Sequence, residues 1–195
     1  MSALLTPKYS VEEYLALERE SDIRHEYYDG EIFTMTGGSE NHVLVTGNTL
    51  TTLNIQLRQR PCKIYATDMR VRVGPSGLYT YPDLAVVCGA AEFTKENPPS
   101  LLNPIPLIEV PSPSTEAYDR GKKFQHYRKL ESLREVVLIA QDSARSESYW
   151  RQDNGQWLLS EAAAMEATLT PRSIDCVLAL ADVYEKVTFE VNNES

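Results

Sequence analysis

Two short apolar runs in this chain each carry one carboxylate. Residues 81–88 read YPDLAVVC and residues 107–115 read LIEVPSPST, so Asp83 and Glu109 sit among residues that suit buried strands. An unpaired buried carboxylate is costly, and proteins pair such groups or coordinate them. A third segment, AYDRGKKFQHY at 117–127, has helical spacing and supplies lysines. Two carboxylates and a lysine delivered to one place make a divalent-cation site with a positive charge beside it. That arrangement suits the cutting of phosphodiester bonds.

The 195 residues suit one domain, 1–195, with a core over about 9–187 and a loose tail at 188–195. No run reaches the roughly 18 apolar residues of a membrane span, and the charged N-terminal region has no signal-like apolar stretch. Cys62, Cys88 and Cys176 are odd in number and lack metal spacing, which reads as reduced core thiols in a cytoplasmic protein. The net charge of -9 opposes contact with phosphate backbones. Against it, Arg120, Lys122, Lys123, Arg128, Lys129 and Arg134 fall within fifteen residues. They read either as a solvated helix face, the commoner outcome, or as a nucleic-acid edge using Arg120, Lys122, Arg128 and Lys129, with Arg70 and Arg72 beside it.

Periodicity places the elements. Residues 10–19 form a short amphipathic helix with a capping box between Ser10 and Glu13. Residues 25–36 form a hairpin turning at Asp29-Gly30. Residues 40–58 form a long helix. Strands follow at 63–65, at 69–73 with Arg70 and Arg72 on the wetter face, at 84–88 and at 107–110. Four prolines make 92–106 a loop. A helix over 116–130, strands at 136–140, 146–151 and 156–161, and a closing helix around 178–184 complete the chain.

Glu109 shares its strand face with Leu107 and Pro111. An ExK strand would carry its lysine at position 111, so the ammonium must come from elsewhere. On the following helix Lys123 borders the apolar Phe124/Tyr127 face, whereas Lys122 groups with Gln125 and His126. Lys123 is therefore the choice, although a rim lysine reaching for solvent has the same pattern. Asp119 then reads as a helix cap. Asp83 after a proline also suits a turn cap, Glu109 a paired core acid, and Asp68 a turn or surface ion pair. Glu26 can pair with Arg24 or Lys63. His42 and His126 lack partner spacing and read as structural, although the long helix can turn His42 toward the site.

Together HEYYDGEI (25–32), DMRVRV (68–73), YPDLAVVC (81–88), IEVPSPST (108–115) and YDRGKKFQHY (118–127) resemble the Uma-type family of bacterial putative restriction endonucleases, within the PD-(D/E)xK nuclease superfamily. The resemblance covers residues 9 to about 184. It implies a PD dipeptide at Pro82-Asp83, the second acid at Glu109, a lysine moved onto the helix at Lys123 and a helper carboxylate at Glu26.

The expectation is an α/β, restriction-endonuclease-like fold with a mixed central sheet flanked by helices. The expected activity is Mg²⁺-dependent (Mn²⁺ as a substitute) hydrolysis of DNA, with Asp83 and Glu109 as metal ligands and Lys123 and Glu26 completing the catalytic set. Cleavage of both strands favours a homodimer. The rival from another class is an inactive nuclease-fold protein serving as a binding or scaffold module. A glycosidase using Asp83 and Glu109 as its acid pair is a third reading, which needs no metal.

Overall fold

The computed structural model describes residues 8–113 and 115–189. The first helix, α1 (Val11–Glu20), opens with the full capping box: Glu13 N–H donates to Ser10 Oγ at 3.2 Å, and Ser10 N–H donates to the Glu13 carboxylate at 2.7 Å. Strands β1 (His25–Tyr28) and β2 (Glu31–Thr34) pair as a hairpin. Its turn holds Asp29 at φ 48° and Gly30 at φ 86°, the left-handed pair that matches strand twist. The long helix α2 (Glu40–Leu57) starts at Ser39, whose Oγ accepts from His42 N–H at 3.1 Å.

Strands β3 (Cys62–Ala66) and β4 (Val71–Val73) come next, then a tight turn at Gly74–Ser76. Gly77 closes that turn at φ 70°, where an L side chain is strained. Strands β5 (Leu78–Thr80), β6 (Leu84–Cys88) and β7 (Pro106–Glu109) follow. One continuous helix then runs over 116–127. It is α-helical at α3 (Glu116–Tyr118), widens into a π turn over Asp119–Lys123, and tightens again at α4 (Phe124–Tyr127). Strands β8 (Glu135–Ile139), β9 (Arg145–Arg151), β10 (Trp157–Ala163), β11 (Thr168–Leu169) and β12 (Leu178–Ala179) lead to the short helix α5 (Leu180–Val183).

The central sheet has six strands in the order β10-β9-β8-β7-β6-β3. It is mixed: β7 and β8 run parallel and every other pair is antiparallel. A four-stranded antiparallel sheet, β2-β1-β5-β4, packs beside it. Every residue of β7 and β8 is buried, as covered central strands require. One face of the central sheet, through Leu84, Val86, Ile108 and Val137, packs on Val45, Leu53 and Leu57 of α2 and on α5. The other face, through Ala85, Val87, Leu107 and Val136, meets Tyr127, Val71, Val73 and Leu78. Tyr14 and Leu15 of α1 cover the smaller sheet through Tyr27 and Tyr79.

The expected fold class is therefore the one observed, with four local corrections. Strand β5 was not foreseen, because three residues between a turn and Pro82 are too few to show alternation. The closing helix is shorter, since Leu178 and Ala179 pair with β11 instead. Arg70 does not face water: it is 2% exposed and donates to Ser100 Oγ at 2.8 Å and to Pro98 O at 2.5 Å. Cys62 and Cys88 are not free thiols. They are direct partners across β3 and β6 and form a disulfide, and only Cys176 stays reduced. The thiol argument for a cytoplasmic location thereby loses its basis. Of the expected tail at 188–195, residues 190–195 lie outside the described residues. Among the described residues no helix is long and apolar enough to cross a membrane.

Candidate active site

Strand pairing brings the two acids together. β6 and β7 pair antiparallel with Leu84 opposite Ile108, so the next step of that register sets Asp83 opposite Glu109. Residues directly opposed on paired strands project to one face. Asp83 is fastened there, because Val110 N–H donates to its Oδ2 at 2.7 Å. Its other oxygen, Oδ1, lies 2.9 Å from His42 Nε2 at the start of α2.

Lysine comes from the helix. Lys123 Nζ lies 3.0 Å from Glu109 Oε1, 3.3 Å from Glu26 Oε1 and 3.6 Å from Asp119 Oδ1. Lys123 is 6% exposed, whereas Lys122 faces solvent. Tyr127, one turn further on, donates its hydroxyl to the same Glu109 Oε1 at 2.5 Å. Glu26 arrives on β1, where Thr80 Oγ1 and Tyr81 N–H both donate to its Oε1. Among the described residues no hydrogen bond reaches Oε2 of Glu109 or of Glu26.

Four carboxylates thus share one neighbourhood with Lys123 and His42. Burial, reinforced by the charges of Asp83 and Asp119, pushes Glu109 up to about 8 despite Lys123 and the Tyr127 hydroxyl. Burial likewise raises Asp119. Burial opposes the charge of Lys123, but Glu109 and then Glu26 outweigh it and hold the ammonium well above its ordinary range. The hydrogen bond that His42 donates to Asp83 raises the His42 pKa.

Asp119 is not a cap. The helix begins earlier, at Glu116, so Asp119 lies inside it, 7% exposed, and faces Lys123. Tyr127 and Thr80 were not expected at the site, Asp119 was read as a cap, and His42, read as structural although α2 could turn it toward the site, does face it, at Asp83. The one signal for Tyr127 was its place four residues after Lys123 on the same face. Asp68 pairs at 3.6 Å with Arg24 on the surface, and His126 packs on Tyr28 with ring centroids 4.3 Å apart.

The basic run divides. Arg120 is tied inward, with NH2 2.8 Å from Glu116 and NH1 2.6 Å from Glu147, a carboxylate that is 2% exposed. Arg120 is thereby withdrawn from the expected nucleic-acid edge, as is the buried Arg70. Arg72 pairs with Glu96 at 3.2 Å. Lys122, Arg128 and Lys129 remain exposed.

The donor chemistry fits a hard divalent cation. Magnesium is held by one or two carboxylates, with water and phosphate oxygens supplying the remainder. Among the described residues no cluster of three or more His, Cys, Asp or Glu has metal-binding geometry, so the protein offers a pair rather than a cage. That pair is Asp83 and Glu109, with no hydrogen bond to Glu109 Oε2 among the described residues.

Residues 11–181 match the family model of Uma2, described as "Putative restriction endonuclease". The chain belongs to the Uma2 family. Two uncharacterized proteins of Synechocystis sp. are 34% identical to it, one over 94% of this chain and 95% of its own, the other over 80% and 89%. The crystal structure of a putative nuclease belonging to DUF820 from Anabaena variabilis shares the fold with TM-score 0.71 and 20% identity, covering 89% of this chain and 96% of that one. In this Uma2 member the matched residues, 11–181, include the strands β1, β6 and β7 and the helix over 116–127 that carry the acids and the lysine.

Proposed function

We propose that this chain is a Mg²⁺-dependent endonuclease that hydrolyses DNA phosphodiester bonds. The observation that carries the reading is the approach of Lys123 Nζ to Glu109 Oε1, 3.0 Å, beside the Asp83–Glu109 strand pair. Asp83 and Glu109 would hold the cation, which when bound supplies Lewis-acid polarisation of a phosphoryl oxygen and a lowered pKa for water. The chain's own residues do the rest. Lys123 presents a fixed ammonium to the charge that develops on the phosphate oxygens. Tyr127 holds the Glu109 carboxylate through Oε1 and leaves Oε2 for ligation. Glu26, fastened by Thr80, sets the position of Lys123 and offers a second acceptor near the attacking water. The exposed Lys122, Arg128 and Lys129 provide phosphate contacts, few in number as the net charge demands.

Cutting both strands needs two such sites, which supports a homodimer. A cytoplasmic location follows from a DNA substrate rather than from the cysteines. A second reading, a nuclease-fold binding module without activity, is favoured by one observation: Lys123 is already engaged by three carboxylates. Incubating supercoiled plasmid and labelled oligonucleotides with the protein, in Mg²⁺ and in EDTA, separates the two. Cleavage in Mg²⁺ alone supports the endonuclease. Binding in Ca²⁺ with no cleavage in Mg²⁺ or Mn²⁺ supports the module. Equal cleavage in EDTA removes the metal-dependent reading.

A further inference from the structure

The start of α2 is built onto the same strand end that holds Asp83. Val110 N–H donates to Asp83 Oδ2 at 2.7 Å. One residue on, Pro111 O accepts from Gln141 Nε2 at 2.9 Å, and Gln141 Oε1 accepts from Ser39 Oγ. Ser39 Oγ in turn accepts from His42 N–H at 3.1 Å. His42 closes this ring of contacts, with Nε2 2.9 Å from Asp83 Oδ1. Both Asp83 oxygens are therefore engaged, one by a strand amide and one by an imidazole.

Gly38 makes room for that imidazole. A β-carbon at Gly38 would overlap His42 Nδ1 and Cγ. Packed against this backbone, Nδ1 is buried and has no hydrogen-bond partner. The ring's one hydrogen bond is at Nε2, so the network assigns the proton there, donated to Asp83.

We propose that His42 is a positioning residue that fixes the Asp83 carboxylate and thereby sets the affinity of the site for a divalent cation, with Gly38 providing the space it requires. The inference rests on the metal-dependent reading of Asp83 given above. Groups that orient a metal-binding side chain change cation affinity by about 10- to 100-fold when removed. A histidine placed only for packing would not move cation affinity while leaving the fold unchanged.

The test is calorimetric titration of Mn²⁺, with no DNA present, into the wild type, Asp83→Asn, His42→Ala, His42→Gln and Gly38→Ala, each checked by thermal unfolding. Asp83→Asn abolishes binding. His42→Ala weakens it about 10- to 100-fold. His42→Gln, whose amide N–H replaces the Nε2 donor, recovers most of that loss. Gly38→Ala, which displaces the ring and does not touch Asp83, weakens binding as His42→Ala does. Should His42→Ala fail to fold, the Gln and Gly38 variants carry the comparison. Unchanged Mn²⁺ affinity in the His42 and Gly38 variants, with binding lost in Asp83→Asn, overturns the role of His42 and leaves the metal reading standing. Unchanged affinity in Asp83→Asn overturns both.

Discussion

Lys123 reaches Glu109 from a helix and not from the acid's own strand. Its Nζ lies 3.0 Å from Glu109 Oε1, while position 111, two residues past the end of β7, is a buried proline. The π turn over Asp119–Lys123 lies in that helix and also brings in Asp119, at 3.6 Å. Single π turns inside helices recur at functional sites.

Removing the ammonium should cost stability as well as activity. Lys123→Met leaves Glu26, Glu109 and Asp119 with no cation between them. Breaking a buried pair by deleting one partner costs about 3–5 kcal/mol. Urea unfolding at pH 8 should show a loss of that order, shrinking toward pH 5 as the carboxylates take up protons. An equal loss at both values would mean that the lysine acts through packing alone.

Glu109 gives stability a distinct pH dependence. Its carboxyl is raised from an ordinary value near 4.5 to about 8. A raised group contributes stability that is complete below its unfolded pKa and is lost as pH rises through the folded one. In the window from about 4.5 to 8 the wild type should therefore weaken relative to Glu109→Gln, by up to about 1.4 kcal/mol per pH unit. Parallel pH profiles for the two proteins in metal-free buffer would contradict the shift.

Charge reversal should separate surface cations from internal ones. Arg128→Glu with Lys129→Glu should lower DNA binding more than the same changes at Lys8 and Lys186, and should flatten the dependence on salt. Arg120→Glu should instead lower the unfolding midpoint, since it sets a like charge against the buried Glu147. Equal binding losses for the Arg128/Lys129 pair and the Lys8/Lys186 pair would argue against this surface.

The disulfide is directly checkable. Cys62 and Cys88 are 26 residues apart in sequence, and closing a loop of that length is worth about 3.5 kcal/mol. Cys62→Ser should lower the unfolding midpoint without reductant and match the wild type in its presence. Identical midpoints under both conditions would mean that the bond contributes nothing.

Much of the fold was legible because its signals are local. The Ser10–Glu13 capping box, the Asp29-Gly30 turn and the apolar strands around Asp83 and Glu109 each declare themselves within a few residues. Lys123 was separable from Lys122 by helical phase alone. What stayed hidden depends on contacts distant in sequence. Arg70 is interior because Ser100 and Pro98 receive its guanidinium, and no alternation pattern reveals that. Arg120 looked like one more basic surface residue until β9 placed Glu147 against it. The Cys62–Cys88 pairing needed the β3–β6 register. That α2 can turn His42 toward the site was legible, but its partner there, Asp83, depends on a contact 41 residues away in sequence.

The most direct measurement compares cleavage of supercoiled DNA by wild type and Asp83→Asn, purified identically, over a Mg²⁺ titration. Wild type should give nicked or linear product that rises with Mg²⁺, and Asp83→Asn none, with both proteins unfolding as single cooperative transitions. Equal cleavage by the two proteins, or a folded wild type that cuts nothing in Mg²⁺ or Mn²⁺, would contradict a metal-dependent endonuclease.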